Sequence, residues 1–247
     1  MNDSTTRFSN RAEDYALYRP TYPREIVAAI LDGFTEPSVA DVGAGTGISA
    51  TLLAYAGATV YAIEPNDAMR AAIPGHERIT AVDGTAEATT LQNASVDIVT
   101  AFQAYHWFDP VAVLAEAIRI TKPRARFAAV WNHRDREDPF TAAFEAIIDR
   151  YDTTGGAADR SRRAGTVFTD LERAGWRNVR KISASHEHPL TFDGMAGFVR
   201  SASYLPREGT PYDAMTAELR QLFDREAASN PVRFIWKTEA YIGDRHD

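Results

Sequence analysis

The sequence predicts an α/β fold built on a mostly parallel, Rossmann-like sheet whose last strand runs antiparallel. Three observations carry this expectation. A short apolar run opens Val39–Gly47, VADVGAGTG, and gives way to three glycines at alternate positions, Gly43, Gly45 and Gly47. An Ala/Leu-rich helical segment follows, and then a second apolar run, Val60–Ile63, closes in Glu64. Beyond it, apolar strand-like runs keep alternating with amphipathic helical patterns as far as Trp131.

Taken in order, residues 1–6 are polar and predicted to lack regular structure. In Phe8–Pro23, FSNRAEDYALYRPTYP, Ser9 or Asn10 caps a short helix carrying Ala12, Tyr15 and Leu17, which Arg19-Pro20 ends. Arg24–Phe34 reads as a helix with Ile26, Val27, Ile30 and Leu31 on one face and Gly33 ending it. Strand 38–42, the glycine turn, helix 46–56, strand 58–64 and a helix from Asn66 or Asp67 to about Ile73 form the central βαβ unit. Ile79–Asp83 is a short strand turning at Gly84, and Ser95–Ala101 is the next. Asp109-Pro110 caps a helix over Val111–Ile120. TKPRAR, residues 121–126, reads as a polar turn before a strand at Phe127–Trp131.

The pattern then changes. A charged stretch, Asn132–Pro139, precedes a helix, Phe140–Tyr151, with Phe140, Phe144, Ile147 and Ile148 on one face. The Gly-rich Asp152–Gly165 reads as a loop; its Arg160, Arg162 and Arg163 either hold an anionic substrate or are simply solvated. A short helix at Phe168–Arg173, a strand through Ala174–Ile182, a helix within Leu190–Pro206, a long helix at Tyr212–Ala228 and an antiparallel strand at Val232–Ile242 complete the chain.

Length and composition bound the function. The 247 residues suit one large α/β domain with additions, and no internal repeat is visible. A net charge of −7 argues against a nucleic-acid partner. With no cysteine there is no disulfide framework, thiol nucleophile or thiolate metal site. The opening MNDSTTRFSN has no apolar signal core and no apolar run reaches membrane-spanning length, so a cytoplasmic protein with no membrane partner is expected.

Chemistry concentrates at the glycine turn. Glycines between a strand and a helix let the backbone take positive φ and let a ligand lie against the main chain, and the helix N-terminus adds free N–H groups. Glu64, 21 residues after Gly43, stands where an acid closing the neighbouring strand meets a ribose diol. A dinucleotide fingerprint, G-x-G-x-x-G, would need its third glycine at position 48, which is Ile48. That spacing disfavours an NAD-dependent oxidoreductase. The second notable stretch is AFQAYHWFDP, Ala101–Pro110, where Phe102, Tyr105, Trp107 and Phe108 surround Gln103 and His106. Loops at the carboxyl ends of a parallel sheet form its binding crevice, and of these side chains His106 is the best proton acceptor near neutral pH. Asp135, Glu137 and Asp138 have no metal-ligand spacing, so no metal is expected.

The G-x-G-x-G pattern, with Asp41 two residues before it and Glu64 after it, resembles the first motif of the class I S-adenosylmethionine-dependent methyltransferases. The pattern F-x-x-x-A-x-x-Y-x-x-x-R-P-x-Y-P at Phe8, Ala12, Tyr15, Arg19, Pro20, Tyr22 and Pro23 is similar to the opening of the trans-aconitate methyltransferase-like small-molecule group. The A-x-Q-A-x-H-W-F run and S-x-S-Y, Ser201–Tyr204, also look like segments of that group. The resemblance implies an N-terminal lid with the first helix (1–34), a cofactor-binding core (35–133), the rest of the core with an α-helical substrate cap (134–230) and a closing strand (231–247). It implies S-adenosylmethionine as cofactor, leaving S-adenosylhomocysteine, with a small-molecule methyl acceptor as partner and a monomer or homodimer. Cofactor contacts are expected from Tyr15, Arg19, Asp41, Gly43, Ala44, Gly45, Gly47, Glu64, Pro65, Thr85, Ala86, Glu87, Phe102 and Gln103. Substrate contacts are expected from Tyr22, His106, Trp107, Trp131 and Tyr204, with His106 and Tyr18 as the catalytic candidates. Tyr15 and Tyr18 equally suit an amphipathic helix packing its aromatics on the core, while the Arg19 guanidinium suits the cofactor's carboxylate. A non-catalytic S-adenosylmethionine-binding protein is the other reading of the same motifs.

Overall fold

The computed structural model describes residues 18–152, 165–202, 204–226 and 231–246. Its strands are β1 (Ser38–Val42), β2 (Thr59–Ile63), β3 (Ile79–Val82), β4 (Val96–Phe102), β5 (Thr121–Arg134), β6 (Arg177–Leu190) and β7 (Val232–His246). The helices are α1 (Arg24–Leu31), α2 (Ile48–Tyr55), α3 (Asp67–Ala71), α4 (Pro110–Ile120), α5 (Pro139–Tyr151), α6 (Val167–Arg173), α7 (Phe192–Ser201) and α8 (Gly209–Arg225). All seven strands join one sheet in the order β3-β2-β1-β4-β5-β7-β6. β1 to β5 pair in parallel, and β7 lies antiparallel between β5 and β6. This is the predicted Rossmann-like architecture, with its reversal at the last strand.

Apolar residues on both sheet faces explain why the inner strands read as near-continuous hydrophobic runs. On one face Val39, Val60, Ile98 and Val130 pack with Ile26 and Ile30 of α1 and Leu53 of α2. On the other, Val42, Val99, Phe127 and Trp131 pack with Leu114 of α4 and Leu171 of α6. Side-chain caps start the helices where the sequence predicted them. Asn66 accepts from the Met69 N–H, and Asp109 accepts from those of Val111 and Ala112.

Three elements differ from expectation. The polar stretch 121–126 is ladder, not turn, because the second of its two arginines is a buried tether. Arg126 pairs with Asp244 at 2.6 Å and donates to the carbonyls of Ala29, Ile30 and Asp32, closing the C-terminus of α1. β6 runs on to Leu190, and β7 runs to His246, since each supplies the other's hydrogen bonds over most of its length. These long strands outreach β1–β4, and their ends carry α5, α7 and α8. Phe144, Phe198, Met215, Leu219, Phe234 and Trp236 bury a third core there, separate from the two on the sheet faces.

Candidate functional site

The glycine turn is pinned from behind and open in front. The N–H groups of Gly43 and Ala44 both donate to the Ile63 carbonyl, at 2.9 and 3.1 Å, which seats the turn on the end of β2. A Cβ on Gly43 would lie 2.8 Å from that of Ala104 and 3.0 Å from the Phe108 ring, so packing demands a glycine there. At Gly45, with φ +58°, a Cβ would meet nothing within 4 Å, because it would project into a cavity. Gly47, at φ 82°, caps α2 without any side-chain hydrogen bond. Beneath the turn Asp41 is fully buried and accepts from Ser49 Oγ at 2.6 Å and Thr100 Oγ1 at 2.8 Å. Burial pushes its carboxyl up to about 6 against those two hydrogen bonds. Asp41 therefore ties β1 to α2 and β4 and does not face the cavity.

Glu64 stands at the cavity's rim. Its carboxylate accepts from the Gly45 and Asn66 N–H groups, each at 2.9 Å. Desolvation raises its pKa above the ordinary glutamate value, opposed by those two bonds and by Arg70. The cavity has an empty volume of about 1030 Å³ including its open mouth. Of the residues expected to bind ligand it brings together Arg19, Tyr22, Gly43, Ala44, Gly45, Glu64, Pro65, Phe102, Gln103 and Trp107. Phe108, an aromatic of the loop expected to form the crevice, also lines it, as do Thr46, Ser49, Asn66, Met69, Asn132 and Trp236, for which no ligand contact was expected. Thr46 deserved suspicion from its place inside the turn, and Asn66 from its cap position after Glu64. No local signal marks Asn132 or Trp236.

Gln103, just after β4, stands at φ 52°, a conformation a non-glycine residue adopts only when its surroundings enforce it. Here its N–H donates to the Val130 carbonyl at 2.8 Å and its side-chain amide to that of Asn132 at 2.9 Å. Asn132 in turn donates to the Thr21 carbonyl, holding the 18–22 segment over the cavity. Arg19 adds a second tether through Ser201 Oγ at 2.9 Å and stacks 5.1 Å from the Phe198 ring centre.

Other expected residues lie off the cavity wall. Tyr18 packs on the cap core, its ring 2.2 Å from where a Cβ on Gly197 would lie. His106 is buried in a 3-10 turn, Tyr105–Trp107, and its Nδ1 accepts from Trp131 Nε1 at 3.4 Å. Its ring centre is 4.8 Å from that of Trp107, which is the residue of this pair that reaches the cavity. Trp131 itself is core, with 1% exposure. Tyr204 accepts from Arg134 at 3.1 Å. Thr85 and Ala88 form an isolated bridge, Ala86 is buried, and Glu87 accepts from the Asp109 N–H at the start of α4. Tyr15 lies outside the described residues. Among the described residues no three His, Asp or Glu side chains converge as metal ligands, and no helix is long and apolar enough to cross a membrane.

The methyltransferase-domain family matches residues 40–129, which run from within β1 to within β5 and include the glycine turn. An uncharacterised methyltransferase-like protein of Schizosaccharomyces pombe is 32% identical over 256 residues, spanning 96% of this chain and 95% of the yeast protein. This chain belongs to the class I methyltransferase family. An uncharacterised methyltransferase of Mycobacterium tuberculosis is 36% identical over 152 residues, 60% of this chain and 61% of that protein, so the match spans less than two thirds of it. A solved candidate type II methyltransferase of Anaeromyxobacter dehalogenans, 24% identical, covers 93% of this chain and 98% of its own with a TM-score of 0.63, and so shares the fold. In this family member the matched segment ends before the cap begins, so the family match covers the turn and stops short of Asn132 and Trp236.

Proposed function

We propose that this chain is an S-adenosylmethionine-dependent methyltransferase acting on a small-molecule acceptor, of the trans-aconitate methyltransferase-like group. The observation that carries the reading is the opening in front of Gly45, flanked by the Glu64 carboxylate and by Thr46, whose buried hydroxyl has no hydrogen-bond partner. An orphaned hydroxyl and an empty Cβ position in one turn fit a ligand that lies on the backbone. When bound, the cofactor supplies a sulfonium methyl for in-line transfer, leaving S-adenosylhomocysteine.

The chain's own residues bind, orient and exclude water. Glu64 has oxygen lone pairs left for a ribose diol beyond the two N–H groups it accepts. Thr46 and the N–H groups of α2 offer donors at the turn, and Arg19 offers a guanidinium to a carboxylate. Trp107, Phe108 and Phe102 supply aromatic faces suited to a sulfonium. The tethered 18–22 segment keeps water from the reacting atoms. We assign His106 the task of orienting Trp107 from behind, with proton removal from the acceptor, where needed, left to a group on the cavity wall.

Isothermal calorimetry tests the reading. Binding of S-adenosylhomocysteine and indifference to NAD are expected, followed by S-adenosylhomocysteine release when a metabolite panel is offered with S-adenosylmethionine. Binding of NAD alone would overturn the cofactor assignment. Cofactor binding without turnover on any acceptor class would leave a binding protein instead of an enzyme.

A further inference from the structure

We propose that the cavity wall between the sheet and the cap is a subsite for an anionic oxygen group, carboxylate or phosphate, carried by the methyl acceptor. This rests on reading the cavity as a methyl-transfer site. Arg134 is the last residue of β5, and its side chain is 9% exposed. Its Nε pairs with Glu145, and its Nη2 donates to the Tyr204 hydroxyl. The remaining nitrogen, Nη1, is buried and has no hydrogen-bond partner. Directly opposite in the ladder stands Trp236, which lines the cavity, and its indole Nε1 is likewise buried and unpartnered.

Both of these groups can only donate. Two buried donors left unmade, on adjacent strands and at the same rung, are complementary to a ligand oxygen that accepts. The charges point the same way. Arg134 lies 5.8 Å from the centre of the Phe198 ring, and Arg19, itself on the cavity wall, lies 5.1 Å from that centre. Glu145 is divided between Arg134 and Arg136. Asn132, a polar lining residue two positions before Arg134 on β5, accepts from Thr238 and donates to Thr21. Among the described residues lining the cavity Glu64 is the one acid, and it belongs to the glycine-turn side. At the cap side an anion is therefore apart from Glu64, and the acid that Arg134 does face, Glu145, is shared between two arginines.

The four tryptophans of the chain allow a direct test through their indole N–H signals in a ¹H–¹⁵N spectrum. The signal of Trp236 is identified by its loss in Trp236→Phe. Protein saturated with S-adenosylhomocysteine is titrated at constant ionic strength with sodium acetate, sodium phosphate, acetamide or sodium chloride. A saturable shift of the Trp236 signal with acetate, with phosphate or with both is expected, and which one acts identifies the anion's source. Arg134→Lys, which keeps the charge and the pairing with Glu145, should weaken that response about tenfold or more. A Trp236 signal that ignores both anions, or that moves equally with acetamide, overturns the subsite. Should S-adenosylhomocysteine fail to bind, the methyl-transfer reading falls separately, and the same titration of the unliganded protein still decides whether the anion site exists.

Discussion

Gly43 and Gly45 stand two residues apart in one turn, both at positive φ, yet a side chain does different damage at each. Gly43→Ala drives a methyl into Ala104 and Phe108, so it should lower stability by roughly 2–5 kcal/mol, the sum of overpacking and left-handed strain, as read by urea unfolding. Gly45→Val meets no protein atom near its Cβ; only the backbone penalty of about 1–2 kcal/mol applies. That variant should stay folded while calorimetry shows S-adenosylhomocysteine binding abolished, and retained affinity would detach Gly45 from the ligand. Asp41 makes a prediction in pH. Its native pKa of about 6 lies above the unfolded value of 3.8, so the folded state holds its proton longer. Stability from this group is complete below pH 3.8 and is lost as pH rises through about 6, a change worth roughly 3 kcal/mol. Asp41→Asn should flatten that fall between pH 4 and 7 in denaturant titrations; an unchanged slope would assign it to other groups.

At the scale of elements, the C-terminus of α1, whose apolar face packs on the sheet, is tied down by one buried side chain. Arg126 satisfies three carbonyls at the end of that helix and a buried carboxylate on β7. Its truncation in Arg126→Ala strands the three carbonyls, leaves Asp244 with Arg180 alone, and should cost about 3–5 kcal/mol. Arg180 bonds the same Asp244 from a position 38% exposed, and Arg180→Ala should cost less than about 1 kcal/mol. Equal losses in urea unfolding would contradict the tether. The same residue explains why the start of β5 was illegible: Lys122, Pro123, Arg124 and Arg126 spell a solvated turn, and only a partner 118 residues away makes one of them buried. By contrast Asn66 and Asp109 cap their own helices, and such short-range bonds could be read directly from the letters.

Across the whole molecule, two cores hold the sheet and a third holds the cap. Phe234 is fully buried between Phe140, Phe144 and Phe198, so Phe234→Ala should lower stability by about 3–5 kcal/mol. Because the glycine turn rests on β1, β2 and β4, cofactor affinity at a temperature where the variant is folded should change little, whereas acceptor turnover should drop. A parallel collapse of S-adenosylhomocysteine affinity in calorimetry would show that cap and core do not act separately. The cavity lies between these parts, its floor from the turn and its far wall from Trp236 and Arg19.

The sequence by itself determined the strand-turn-helix unit, the reversal of the last strand and the glutamate at the end of β2. Each depends on signals a few residues long: alternate glycines, apolar periodicity, an acid closing a strand. Only the tertiary structure decided which side chains share the cavity. Trp236 and Asn132 reach it because β7 is inserted beside β5, a pairing between residues more than a hundred positions apart. The 3-10 turn likewise presents Trp107 and withdraws His106, since the indole N–H of Trp131 needs an acceptor inside the core and the imidazole provides it.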